Sequence, residues 1–241
     1  MGESRRRTGE NRALNGFRVG AGPGGRKEGD GDNVRMTRVL VTGFEPFGGD
    51  RVNASQEAVA RIDVEDLRAR GVEVIRETLP VTFVGGPDAL EAAIGQHLPD
   101  VVVCVGEAGG RGEVTPELSA VNDQVARIAD NDGRQPAGAL DDGPAVLTAT
   151  LDPAQLVTAI RGAGIPARVS EDAGRFVCNA VFRASLTRFS GPADFIHVPA
   201  HREVGIAVTG AETDDAAPVV AELTFEDLGR ALTAALGSLA G

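Results

Sequence analysis

Asp100-Val101-Val102-Val103-Cys104-Val105 is the stretch on which the fold class turns. A strand wetted on one face alternates apolar and polar residues. An unbroken apolar run marks a strand covered on both faces, as between two layers of helix. The run ends in Gly106-Glu107-Ala108-Gly109-Gly110-Arg111, a glycine-rich loop. Upstream, Val39-Leu40-Val41 is a second buried strand that breaks at Gly43 into Phe44-Glu45-Pro46-Phe47-Gly48-Gly49-Asp50. Gly43 and Gly48 have the spacing of a phosphate cradle, but Gly49-Asp50 follows where Lys and Ser or Thr would be needed. The dinucleotide fingerprint is missing too. Two phenylalanines flanking a proline predict an apolar slot instead, at the strand ends where open α/β sheets bind ligands.

The rest of the chain alternates in the same way. Asn53 or Ser55 can cap a helix carrying Ala58, Val59 and Ile62. The patterns predict a strand over 72–79, a helix over 85–98, and an extended stretch over 114–121 that includes Glu117. The Gly-, Asp- and Pro-rich segment up to Pro144 reads as a long surface loop. A helix over 153–161 and a short strand over 167–170 follow. Next come a helix over 178–189, a strand over 194–198, loop-like residues 200–220 and a closing helix over 225–239. Alternating strands and helices make this an α/β domain with helices on both faces of its sheet.

A chain of 241 residues, 42% of them hydrophobic, can bury one good-sized core. No apolar run approaches the roughly 20 residues of a membrane helix, and no apolar segment follows the basic N-terminus, so neither membrane nor secretory signal is implied. The net charge of −11 argues against nucleic acid as a partner. Residues 1–35 are polar and Gly- and Arg-rich without an apolar period, and are expected to be a disordered tail before a folded domain over 36–241. Two cysteines in unlike contexts make no disulfide framework, which fits a reducing, cytoplasmic setting. Three scattered histidines offer no metal-ligand spacing, so no metal or cofactor is implied.

Cys104 lies inside the apolar run and reads as an inert core thiol. Cys178 differs. Ala173-Gly174-Arg175-Phe176-Val177-Cys178-Asn179-Ala180 is a turn, a short apolar step and a helix start. A thiol at a helix N-terminus is favoured as thiolate. His197 follows in Phe195-Ile196-His197-Val198-Pro199. A cysteine and a histidine distant in sequence are the minimal kit of a cysteine hydrolase.

Five motifs, in order, resemble the pyroglutamyl peptidase type I family of cysteine peptidases. They are residues 39–49, the Gly106 to Arg111 loop, Arg127-Ile128-Ala129-Asp130-Asn131, residues 173–179 and residues 195–199. The resemblance implies a mixed central sheet flanked by helices, of phosphorylase/hydrolase-like type. It implies removal of an N-terminal pyroglutamyl residue from peptides by Cys178 as nucleophile, His197 as general base and Glu117 as third member. It implies a lactam pocket lined by Phe44 and Phe47, with Asn53 nearby and Arg127 in support, and assembly as a homodimer or homotetramer.

The chain departs from the family pattern in places. Glu107 stands where the family has a neutral residue, and Ala200-His201 replaces the usual continuation after Pro199. A carboxylate near the site is expected to raise the pKa of Cys178. It also motivates a second reading, a non-catalytic relative that binds pyroglutamyl or other blocked N-termini.

Overall fold

The computed structural model describes residues 35–205, 207, 217, 219–220 and 222–240. Apart from Arg35, the expected N-terminal tail lies outside them. Strand β1 (Thr37–Phe44) leads through a loop to helices α1 (Ala54–Ala60) and α2 (Val64–Ala69), then to β2 (Val72–Leu79), α3 (Gly85–His97) and β3 (Val101–Ala108). Short strands follow: β4 (Thr115–Pro116), β5 (Ser119–Val121), β6 (Gln124–Val125), β7 (Ala137–Gly138) and β8 (Val146–Thr148). Helix α4 (Pro153–Gly162), helix α5 (Val177–Arg188), strand β9 (Ala193–Pro199) and helix α6 (Phe225–Gly237) complete the order. No helix among the described residues is long and apolar enough to cross a membrane.

The central sheet runs β2-β1-β3-β9-β4. It is parallel except for β4, which pairs antiparallel with β9. Alternation along the strands sends side chains to two cores. Val39, Val41, Val103, Val105, Ile196 and Val198 face α1, α2, α4 and α6. Leu40, Phe44, Val102, Cys104 and Phe195 face α3 and α5. Both faces of β3 are therefore covered, which is why its sequence is apolar without interruption. The mixed α/β sandwich expected from the sequence is the fold observed.

Three local expectations are corrected. The helix begun at Asn53 stops at Ala60, and Asp63 caps a second short helix by accepting from the Asp66 N–H at 3.0 Å. The loop leading to Pro144 carries two small antiparallel ribbons, β5 with β8 and β6 with β7. Residues 167–170 form no strand, only two isolated parallel bridges, Val114 with Ala167 and Glu117 with Ser170. Pro116 supplies the reason. The bonds Val114 N–H to Pro166 O and Leu118 N–H to Ser170 O form at 3.1 and 2.7 Å, but the donor between them would be the N–H that proline lacks.

Candidate active site

The C-terminal ends of β1, β3 and β9 converge on a cleft. Gly174, at φ 75°, turns the chain toward α5, and Phe176 occupies the N-cap position without a side-chain cap. The first-turn N–H groups at Val177, Cys178 and Asn179 thus lack a capping acceptor from Phe176. Asn179 clamps this turn from within: its Oδ1 accepts from Val121 N at 2.9 Å, and its Nδ2 donates to the Val121 and Asp123 carbonyls at 3.0 Å each. Cys178 is a reduced, partly exposed thiol on the wall of the cleft.

His197 lies opposite Gly106 across the β3–β9 ladder. A Cβ on Gly106 would lie 2.8 Å from Cys178 Sγ and 2.7 Å from the Phe195 ring. The thiol therefore rests directly over the strand position beside His197, in a space that only glycine leaves open. The Phe195 and His197 rings, two residues apart on one face, lie tilted with their centroids 4.8 Å apart.

Glu117 is fully buried between β4 and β5, with its N–H bonded to Phe195 O at 2.9 Å. Its Oε1 meets His197 Nδ1 at 2.7 Å. With Nδ1 donating, Nε2 is left as the basic nitrogen of the ring. Arg111 Nη1 binds the same Oε1 and Thr115 Oγ1, each at 2.5 Å, while Nη2 donates to Asp172 O at 2.6 Å. Burial pushes the Glu117 carboxyl up, but the His197 hydrogen bond and the charges of His197 and Arg111 outweigh it and hold the pKa below the ordinary carboxylate value. Cys104 is the contrast: burial pushes its thiol up to about 12.

The cleft, about 40 Å³, includes Phe44, Phe47, Val52, Val81 and Phe176 among its apolar residues. That is room for roughly three waters, the scale of a small five-membered ring. The Phe47 and Phe176 rings approach to 5.3 Å, and Phe83 backs Phe176 edge-on at 5.1 Å. Asn53 also lines the cleft, but its side chain is committed to scaffolding: Oδ1 accepts from Ser55 N and Oγ, and Nδ2 donates to Glu45 O at 3.0 Å. Arg127 is exposed on the segment between β6 and β7 and is not among the residues lining the cleft. Its neighbours Asp130 and Asn131 brace the cleft wall. Asp130 accepts from Phe83 N at 3.0 Å, and Asn131 donates to Glu45 Oε1 at 2.7 Å.

Glu107 reaches the cleft, but not as a bare carboxylate. Arg202 grips both its oxygens, and Ala54 N–H donates to Oε2 at 2.6 Å. The structure thus brings Cys178, His197 and Glu117 to one place, with Phe44, Phe47 and Asn53 at its pocket; Arg127 is not among the residues that line it. Gly106, Arg111, Phe176 and Arg202 belong to the same site without having been singled out in the sequence. The first three stand inside the quoted motifs, which was the available signal. Arg202 stands in a stretch that reads as loop.

The pyroglutamyl peptidase family model matches residues 37–238. The chain belongs to the pyroglutamyl peptidase family. Among its relatives is the pyrrolidone-carboxylate peptidase of Bacillus licheniformis, 44% identical over 169 residues, covering 67% of this chain and 78% of that protein. The Escherichia fergusonii pyrrolidone-carboxylate peptidase is 44% identical over 182 residues, covering 73% and 84%. The crystal structure of pyroglutamyl peptidase I from Bacillus amyloliquefaciens superposes with a TM-score of 0.72 at 35% identity, covering 85% of this chain and 95% of that one. Pyrrolidone carboxyl peptidase from Pyrococcus furiosus gives 0.70 at 30% identity, covering 84% and 97%.

Proposed function

We propose that this family member hydrolyses the amide bond after an N-terminal pyroglutamyl residue, with Cys178 as nucleophile, His197 as general base and Glu117 as the group that orients it. The observation that carries the site assignment is the buried Glu117–His197 bond at 2.7 Å, on the strand beside the Cys178 thiol. His197 takes the thiol proton, and Cys178 Sγ attacks the pyroglutamyl carbonyl. The uncapped first-turn N–H groups of α5 are suited to receive the oxyanion. His197 then protonates the departing amine, and a water it deprotonates splits the thioester to release pyroglutamate. Glu117 holds the imidazole tautomer and stabilises its charged form.

Selectivity follows from the aromatic wall. A pyroglutamyl ring is uncharged and flat and can lie against Phe44, Phe47 and Phe176. A free amino terminus would have to shed its water there, at a cost of several kcal/mol. The family relationship and the complete triad both disfavour a protein that merely binds blocked N-termini. The resemblance supports a homodimer or homotetramer, which light scattering of the purified protein checks. A reduced Cys178 thiol suits a reducing cytoplasm.

The test is turnover of a pyroglutamyl arylamide. Wild type releases the arylamine, and Cys178→Ala loses at least about a thousandfold in kcat/KM, as expected on removing a nucleophile. Folded wild-type protein without turnover sinks the peptidase reading. Turnover kept by Cys178→Ala sinks the nucleophile assignment.

A further inference from the structure

Besides its aromatic residues the cleft holds three charged side chains: Asp50 from the β1–α1 loop, Glu107 near the end of β3, and Arg202 just past β9. Arg202 joins the other two. Its Nη1 and Nη2 meet Glu107 Oε2 and Oε1 at 2.8 and 2.7 Å, and Nη2 also meets Asp50 Oδ2 at 2.6 Å. A turn closed by His201 N–H on Pro199 O brings it there, and Nη1 donates to His201 O at 2.9 Å. The guanidinium is largely buried, with its side chain 11% exposed against 9% for that of Glu107. Glu107 and Asp50 oppose the burial penalty on this cation and hold its pKa above the ordinary value.

Cys178 faces two sets of charges. On β9 stands His197, backed by Glu117 and Arg111. In the cleft stand Asp50, Glu107 and Arg202, and the other residues lining it are neutral. Without Arg202, two carboxylates would share a largely apolar cleft with the thiol, and like charge disfavours a thiolate. We propose that Arg202 is a positioning residue for the reaction: by pairing Glu107 and Asp50 it keeps bare carboxylate charge away from the Cys178 thiolate. The departures at Glu107 and after Pro199 then form one compensated unit, and the loss expected from Glu107 alone is cancelled.

This rests on Cys178 being the nucleophile, and the experiment separates the two. The thiol pKa is read from the pH dependence of Cys178 alkylation by iodoacetamide, which needs no turnover, with Cys104 fully buried. In parallel, the pH profile of kcat/KM is measured on a pyroglutamyl arylamide, with thermal melts to verify folding. Arg202→Met raises the thiol pKa by about one unit, moves the acid limb of kcat/KM upward with it, and costs about tenfold in activity below that pKa. Adding Glu107→Gln to Arg202→Met recovers most of both losses, a rescue that a merely structural arginine would not give. Glu107→Gln alone lowers the thiol pKa, because Arg202 then pairs with Asp50 only. A wild-type thiol pKa in Arg202→Met, or a double variant no better than Arg202→Met, overturns the proposal. Should Arg202→Met fail to fold, Glu107→Gln decides: an unchanged or raised thiol pKa overturns it. Failure of the wild type to cleave the arylamide would instead strike the peptidase reading.

Discussion

Glu117 is a buried carboxylate held on one oxygen by two donors, the His197 imidazole and the Arg111 guanidinium. A carboxylate at zero exposure survives ionised only when such partners replace its water. In the proposed mechanism Arg111 therefore acts through Glu117 and His197. Arg111→Met lowers kcat by roughly tenfold to a hundredfold with little change in KM, the scale of one lost hydrogen bond to a charged group. Arg111→Lys restores part of it, and steady-state kinetics on the arylamide reads both. Gly106→Ala acts more directly, since its methyl would meet Cys178 Sγ and the Phe195 ring. It lowers kcat/KM and slows Cys178 alkylation together, and an unchanged alkylation rate would contradict the close approach. The three proposed catalytic residues are legible in the sequence because their chemistry restricts them to few residue types, although Glu117 is assigned through the family resemblance. Gly106, Arg111 and Arg202 are not, because each is defined by what lies across space from it. Glu107 shows the same limit: read alone it threatens the thiolate, and only its partner 95 residues away removes the threat.

Elements were legible where a single pattern dominates. The apolar run of β3, the capping asparagine of α1 and the leucines of α6 all mark their own boundaries. Legibility fails where two segments decide together. Residues 167–170 have strand composition, yet the donor missing at Pro116 in the neighbouring segment reduces them to two bridges. The end of α3 holds a similar local conflict. Leu98 closes the helix in the left-handed region, φ 46° and ψ 58°, and the residue is 73% exposed. Its N–H completes the helix by bonding Ile94 O at 2.9 Å. A branched side chain in that conformation costs roughly 1–2 kcal/mol, and little burial offsets it. Leu98→Gly therefore stabilises the protein by up to about 1 kcal/mol, after allowance for glycine's greater freedom when unfolded. In a chain of this size that is a rise of roughly 2–4 °C in Tm, with activity unaffected. A lower Tm would mean that the leucine packs to more effect than its exposure indicates.

Across the whole molecule, Glu117 is matched by a second buried acid of opposite electrostatic character, on the strand β9 that carries His197. Asp194 is fully buried, and its Oδ1 accepts from the adjacent Phe195 N–H at 2.6 Å. Oδ2 has no hydrogen-bond partner among the described residues. Burial, reinforced by the charges of Glu117 and Asp152, raises its pKa well above the ordinary value. The folded protein therefore keeps a proton here that the unfolded chain releases. Stability from this group is full below the ordinary carboxylate pKa. It declines as pH rises toward the raised folded value, by about 1.4 kcal/mol for each pH unit that separates the two. Glu117 has the reverse sign: its folded pKa is depressed, so its contribution is present above the ordinary carboxylate value and is lost as pH falls through the depressed one. Above the ordinary carboxylate range Glu117 contributes in full while the Asp194 contribution is already declining, so the joint maximum of these two groups lies near that range. Asp194→Asn keeps the shape and removes the titration. Its Tm at pH 7 rises by roughly 2–4 °C or more, about 1 kcal/mol at this chain length, while the gain shrinks toward pH 4. Melting curves of both proteins from pH 4 to 8 check this. A gain that is constant across that range would show that Asp194 is ionised in the fold and that its burial is compensated by a partner not yet identified.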